Sequence, residues 1–392
     1  MRITDVDTIP VEIPVKPIEE PWGLAPYVAG DRLYDLPESL SYQAALEQVE
    51  TATTSGRKLL IRLETTDGIT GWGEMKVPSM TVGAAVVDEL LTPELLHRKV
   101  SEAAGFVDAF RNMPSKDYID VTPLLGGVEM AMWDALGKTL GQPVHQLLGG
   151  KLRDQYPIAY CLGLRTPAES AMHAKFAVEH GFRTLKTKAS RYWQTDVDRI
   201  VAMHEAVDGT LSFRLDPNQQ WNLSQATNVA AALDRAGIGL EYLEQPIRVD
   251  SFGHLAALRT RSTQPIAINE DAYFARNVLE SVRANAIDAA VVDLVPAGGI
   301  LALKRLAAVA ADANVSLAHH SNFDFGIKNA AKLHVLASTP AFDLAMDSVY
   351  YAFEDYLLET PLTIEDGAFI VPDRPGLAGP VAADALERYR LD

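Results

Sequence analysis

Seven short apolar runs in the second half of the chain each end in a polar or charged residue, and they recur at a nearly fixed interval. The endpoints are Lys188, Asp216, Glu244, Asn269, Asp293, His320 and Asp347, spaced 24 to 28 residues apart. The runs read TLKTK, SFRLD, LEYLE, IAIN, DAAVVD, VSLAHH and FDLAMD, and an eighth, PIAYC, precedes them. Stretches rich in Ala and Leu, with helical pattern, lie between them. One βα unit of a (β/α)8 barrel occupies roughly 30 residues. No helical bundle or sandwich accounts for polar residues returning at that period. The spacing therefore predicts an α/β fold of the TIM-barrel type. It also predicts that these endpoints gather at the strand C-termini, where barrel active sites lie.

The first part of the chain is patterned differently, as α+β. VDTIPVEIPV alternates like a strand, and KLLIRLETTDGITGWGEM holds two alternating runs around Asp67-Gly68, a hairpin signal. A long helix is predicted from Thr122-Pro123 to Gly141, with Pro in the first turn and Gly at the stop. TIEDGAFIVPDRPGL predicts a short hairpin that returns the chain to the first domain. The expected organisation is a capping domain over 1–128, a barrel over 129–357 and a return segment over 358–392 that completes the cap. Residues 16–56 are expected to form a lid. They place Pro17, Pro21, Pro26 and Pro37 as stiff points, Gly23 and Gly30 as hinges, and no histidine. Trp22 and Tyr27 in that lid are expected to contact substrate.

Charge narrows the function. A net charge of −17 argues against nucleic acid or an anionic membrane as partner. Cys161 is the single cysteine, so there is no disulfide framework, and a cytoplasmic location is expected. No signal peptide is evident, and no apolar run reaches membrane-spanning length. A small-molecule carboxylate substrate would need local positive charge or a metal. Asp216, Glu244 and either Asn269 or Glu270 end three successive strands, and converging oxygen ligands of this kind suit Mg2+. Asn269 and Glu270 cannot both face inward unless the strand has already ended. Lys186 and Lys188 are two apart on one strand and share a face, so each is expected to lower the other's pKa and help one act as a base. Asp293 and His320 end strands six and seven, where a carboxylate can orient an imidazole and raise its basicity. His319, beside it, should face the other way.

Taken together, these residues resemble the enolase superfamily. The resemblance covers nearly the whole chain, including AMWDALGKTLGQPVHQLLGG and PDRPGL. The K-x-K pair with an Asp–His dyad resembles the mandelate racemase branch; the muconate-lactonising branch carries a lysine where Asp293 stands. LDPNQQW, PIAIN, HSNFDFGI and LAMDS resemble glucarate dehydratases. That resemblance implies Asn269 as third metal ligand, with Glu270 as the alternative. It implies Asn218, Ser321, Asn322 and Tyr160 as substrate contacts, and Asp347 as an acid beside an enediolate. The implied activity is Mg2+-dependent dehydration of an acid sugar, in carbohydrate catabolism, by a homo-oligomer. Lys188 or His320 would take the alpha proton while Lys186 neutralises the carboxylate. A racemase or epimerase of a 2-hydroxy acid would use the same two bases. A non-catalytic carboxylate-binding protein of this fold would not need bases on opposite faces.

Overall fold

The computed structural model describes residues 1–16, 37, 39–48, 54–111 and 121–392. Trp22, Tyr27 and most of the expected lid lie outside the described residues. The capping domain is built on a three-stranded antiparallel sheet of Ile3–Pro14, Ser55–Thr65 and Thr70–Met75. The hairpin turns at Gly68, whose φ of 73° is one that glycine adopts without strain. Helix Thr122–Leu140 lies on that sheet. Two strand glycines let it come close. A Cβ on Gly71 would stand 2.2 Å from the Ala131 carbonyl oxygen, and one on Gly73 would stand 2.0 Å from that of Gly127. The helix stops at Gly141, in the left-handed region, as its sequence predicts. It runs unbroken through the expected 128/129 boundary, so one element belongs to both domains. Its buried Asp134 accepts the Trp72 N–H at 2.9 Å from the cap sheet and the Leu377 N–H at 2.8 Å from the return segment. Its Glu129 accepts the Leu301 N–H at 3.1 Å from a barrel helix.

Eight parallel strands follow in chain order: Gln155–Leu162, Thr184–Lys188, Ser212–Asp216, Tyr242–Glu244, Ile266–Ile268, Ala289–Val292, Ser316–His319 and Met346–Ser348. Each of the first six pairs with the next, and the eighth pairs back onto the first, through Met346↔Ile158. Leu344 N–H donates to the Leu317 carbonyl at 3.2 Å and closes the gap between strands seven and eight. Helices such as Pro167–Glu179, Ile300–Asp312 and Gly326–Ala337 connect the strands. All eight predicted strands are present. The return segment forms a hairpin whose Ala368–Ile370 pairs antiparallel with the first barrel strand. Leu391 N–H then reaches the Pro10 carbonyl at 2.9 Å on the first cap strand. Among the described residues, no helix is long and apolar enough to cross a membrane.

Candidate active site

The barrel interior decides which strand-end residues can meet. Tyr242, Ala267, Val291 and Ala318 pack together as an interior cluster separate from the main core. Side chains alternate along a strand, so two residues further on, facing the same way, stand Glu244, Asp293 and His320. Lys186 pairs in register with Arg214, and Lys188 with Asp216, on the adjoining strands.

The lysines and acids form one buried ionic cluster. Lys186 Nζ lies 2.6 Å from Glu244 Oε1, 2.8 Å from Asp347 Oδ2 and 3.4 Å from Asp216 Oδ2. Burial opposes its charge, yet the carboxylates of Asp347, Glu244 and Asp216 hold its ammonium well above the ordinary lysine range. The lowered pKa expected of the lysine pair is not met at Lys186, because Asp347, Glu244 and Asp216 together outweigh burial. Lys188 Nζ lies 2.6 Å from the same Asp216 oxygen and 2.7 Å from Asn218 Oδ1. Burial pushes Asp216 up, but Lys188 and Lys186 outweigh it and leave that carboxyl lowered. Asp347 is likewise lowered against burial, by Lys186 and by Arg214, whose Nη1 is 2.9 Å away.

The fifth strand ends at Ile268, one residue before Asn269. Asn269 and Glu270 are therefore both released from strict alternation. Asn269 gives its amide N–H to the Val291 carbonyl at 2.8 Å. Glu270 Oε1 accepts from Asn218 Nδ2 at 3.3 Å, which ties it to the Lys188 side of the cluster. Among the described residues, no three His, Cys, Asp or Glu side chains gather into a ready metal cage; the lysines lie between the acids. The oxygens nonetheless fit a hard divalent cation. Glu244 Oε2 and Glu270 Oε2 are buried without a hydrogen-bond partner among the described residues. Burial, and then the Asp216 carboxylate, push Glu244 up to about 8, the mark of a site short of positive charge.

On the other side, His320 Nδ1 faces Asp293 Oδ2 at 3.4 Å, and Asn322 Nδ2 donates to that oxygen at 2.9 Å. Burial opposes ionisation of Asp293, but Lys328 and His320 hold it well below the carboxylate range. His319 takes the Leu294 N–H on Nε2 at 3.1 Å and is structural. Ser321 Oγ is buried with no hydrogen-bond partner among the described residues.

Tyr160 needs correction. Cys161, not Tyr160, pairs in register with Lys186 and shares its inward face. The Tyr160 hydroxyl meets His173 Nδ1 at 2.9 Å on a surrounding helix, and its ring stacks on Tyr351. It therefore supports the barrel wall, on the face turned away from the Lys186 cluster. Tyr160→Phe should leave kcat/KM within about two-fold, as expected where only one remote hydrogen bond is lost; a loss beyond tenfold in steady-state assays would return it to the site.

Sequence reasoning missed Arg214, Lys58, Glu74, Asp324, Lys328 and Lys332. Arg214 is fully buried, two residues before Asp216 on the same face, so alternation could have found it. Lys58 and Glu74 come from the cap sheet. Lys58 Nζ donates to the Asn322 carbonyl at 2.6 Å, and Glu74 accepts the Phe325 and Lys328 N–H groups at 2.7 and 2.9 Å.

Two family models and several known proteins match the chain. The Enolase C-terminal domain-like family matches residues 169–385. The mandelate racemase / muconate lactonizing enzyme N-terminal domain matches residues 38–149. A probable glucarate dehydratase from Streptomyces coelicolor is 31% identical, over 85% of this chain and 83% of its own length. An N-succinyl-L-Arg/Lys racemase from Bacillus cereus is 26% identical, over 71% of this chain and 76% of its own. The crystal structure of an isomerase from Streptomyces coelicolor superposes with a TM-score of 0.82 at 30% identity, covering 99% of this chain and 98% of that one.

Proposed function

The chain belongs to the enolase superfamily, in the mandelate racemase / muconate lactonizing enzyme branch, and on that premise we propose that it is a Mg2+-dependent acid-sugar dehydratase. Members of this superfamily are enzymes. One observation carries the reading: a lysine pair on strand two and an Asp–His dyad at strands six and seven stand on different sides of one cluster of buried acids. Asp216, Glu244 and Asn269 or Glu270 would hold the Mg2+, which when bound polarises the substrate carboxylate. Lys186 stands beside the same oxygens and neutralises charge that builds there as the alpha proton leaves. Lys188 takes that proton from one face and His320 from the other. One of them then protonates the departing beta hydroxyl, and the enol product tautomerises to a 2-keto-3-deoxy acid. The dehydratase relative, at 31% identity, favours loss of a hydroxyl over simple return of the proton.

A panel of aldonic and aldaric acids, assayed for 2-keto acid with Mg2+, tests this. At least one substrate should give a 2-keto-3-deoxy acid, with activity lost to a chelator and restored by Mg2+. Full activity after thorough chelation would remove the metal role of Asp216 and Glu244. Alpha-proton exchange without keto acid on any substrate would make the protein a racemase or epimerase.

A further inference from the structure

Helix Gly326–Ala337 buries two lysines that no step of the proposed reaction uses. Lys328 Nζ stands 3.0 Å from Asp293 Oδ1, 3.0 Å from Asp293 Oδ2 and 2.9 Å from Asp324 Oδ1. One turn further on, Lys332 Nζ lies 3.2 Å from Asp324 Oδ2 and 3.2 Å from the Asp347 carbonyl oxygen. An ammonium is buried this completely only where carboxylates answer it. Here the answering carboxylate is the dyad's own. Lys328 sits closer to Asp293 than His320 does, whose Nδ1 is 3.4 Å away. His320 thus meets a carboxylate whose charge is already compensated.

We propose that Lys328 is a positioning residue: its ammonium neutralises Asp293, so that the dyad orients His320 without charging it and the imidazole meets substrate as an uncharged base. The inference rests on the reading of His320 as one of two bases. Lys328 itself is no base. Burial works against its charge, but Asp293 and Asp324 outweigh burial and hold the ammonium above the ordinary lysine range.

The surrounding charges are consistent with this balance. Asp324 precedes the helix and Lys332 lies within it. From the cap, Glu74 accepts the Phe325 and Lys328 N–H groups, and Lys58 and Lys76 act on Asp324. Lys186 and Asp347 face His320 from the barrel, and His319 adjoins Asp293. Burial lowers His320, Asp293 offsets only part of that, and Lys186 lowers it further.

The base works when neutral, so a lowered imidazole keeps it active to lower pH. Removing the Lys328 charge frees Asp293 to stabilise imidazolium. His320 then protonates at higher pH, and the acid limb of the rate profile moves up.

The test is an NMR titration of the His320 ring in Mg2+-loaded protein carrying 13C-labelled histidine, assigned with His320→Asn. Lys328→Met should raise the midpoint by about one pH unit, the usual scale for an opposite charge within a few ångströms. Lys328→Arg should leave it in place, because the charge is kept. Asp324→Asn should lower it, because Lys328 is then shared with no second carboxylate. That opposite shift carries the test if the Met variant does not fold. An unmoved midpoint in folded Lys328→Met, or an upward shift in Asp324→Asn, overturns the proposal. The titration needs no substrate. The predicted shifts without alpha-proton exchange on any carboxylate would uphold the electrostatic role of Lys328 and overturn the proposed function instead.

Discussion

Lys186→Met is expected to reduce kcat by about a thousandfold or more, the upper range for removing one preorganised charge from a developing oxyanion. Its ammonium touches three carboxylates at 2.6 to 3.4 Å, and no other cation among the described residues contacts all of them. Arg214 reaches only Asp347 of that group. The variant therefore also leaves Glu244 and Asp216 under-compensated, which costs about 3–5 kcal/mol of stability when one partner of a buried pair is removed. Mg2+ should restore part of that stability by binding the same acids, and it should restore none of the rate. Thermal unfolding with and without Mg2+, beside steady-state kinetics, separates the two effects. Native turnover in Lys186→Met would show that the substrate carboxylate does not lie beside this ammonium.

Asp293→Asn is expected to lower kcat by about two to three orders of magnitude. An amide can still accept the Val295 N–H, now held at 3.0 Å by Asp293 Oδ1. Its nitrogen must then face Lys328 or His320 Nδ1, where a carboxylate oxygen accepted. The histidine loses its orienting partner, and Lys328 keeps only Asp324. The change should be in kcat more than in KM, because the dyad acts on the proton and not on the carboxylate. Stability should fall as well, since Lys328 is buried. Unchanged kcat in Asp293→Asn would remove the dyad from the mechanism.

The strand ends were readable because their signal is local. A five-residue apolar run, a polar endpoint and two-residue alternation place Lys186, Lys188, Asp216, Glu244, Asp293 and His320 without tertiary knowledge. Tyr160 was misread because its role came from resemblance, and alternation puts Cys161 opposite Lys186 instead. Arg214 was within reach of the same alternation rule. The network behind the dyad was not. Lys58 meets the Asn322 carbonyl across 264 residues, and Glu74 meets the Phe325 N–H across 251. Each reads locally as an ordinary charge on an alternating strand. Only the seating of cap on barrel brings them to the loop that follows strand seven. The fifth-strand ligand remained a choice of two because the strand ends one residue early, so alternation does not separate Asn269 from Glu270.

In the proposed reaction two bases serve opposite faces of one alpha carbon. Lys188 sits on strand two and His320 follows strand seven, across the barrel mouth. Proton NMR in D2O, with Mg2+ and each of two alpha-epimers of an accepted acid sugar, measures this directly. His320→Asn should abolish exchange at the alpha position of one epimer and leave the other exchanging; Lys188→Met should do the reverse. Loss of exchange from both epimers in both variants, or from neither, would contradict the two-base account.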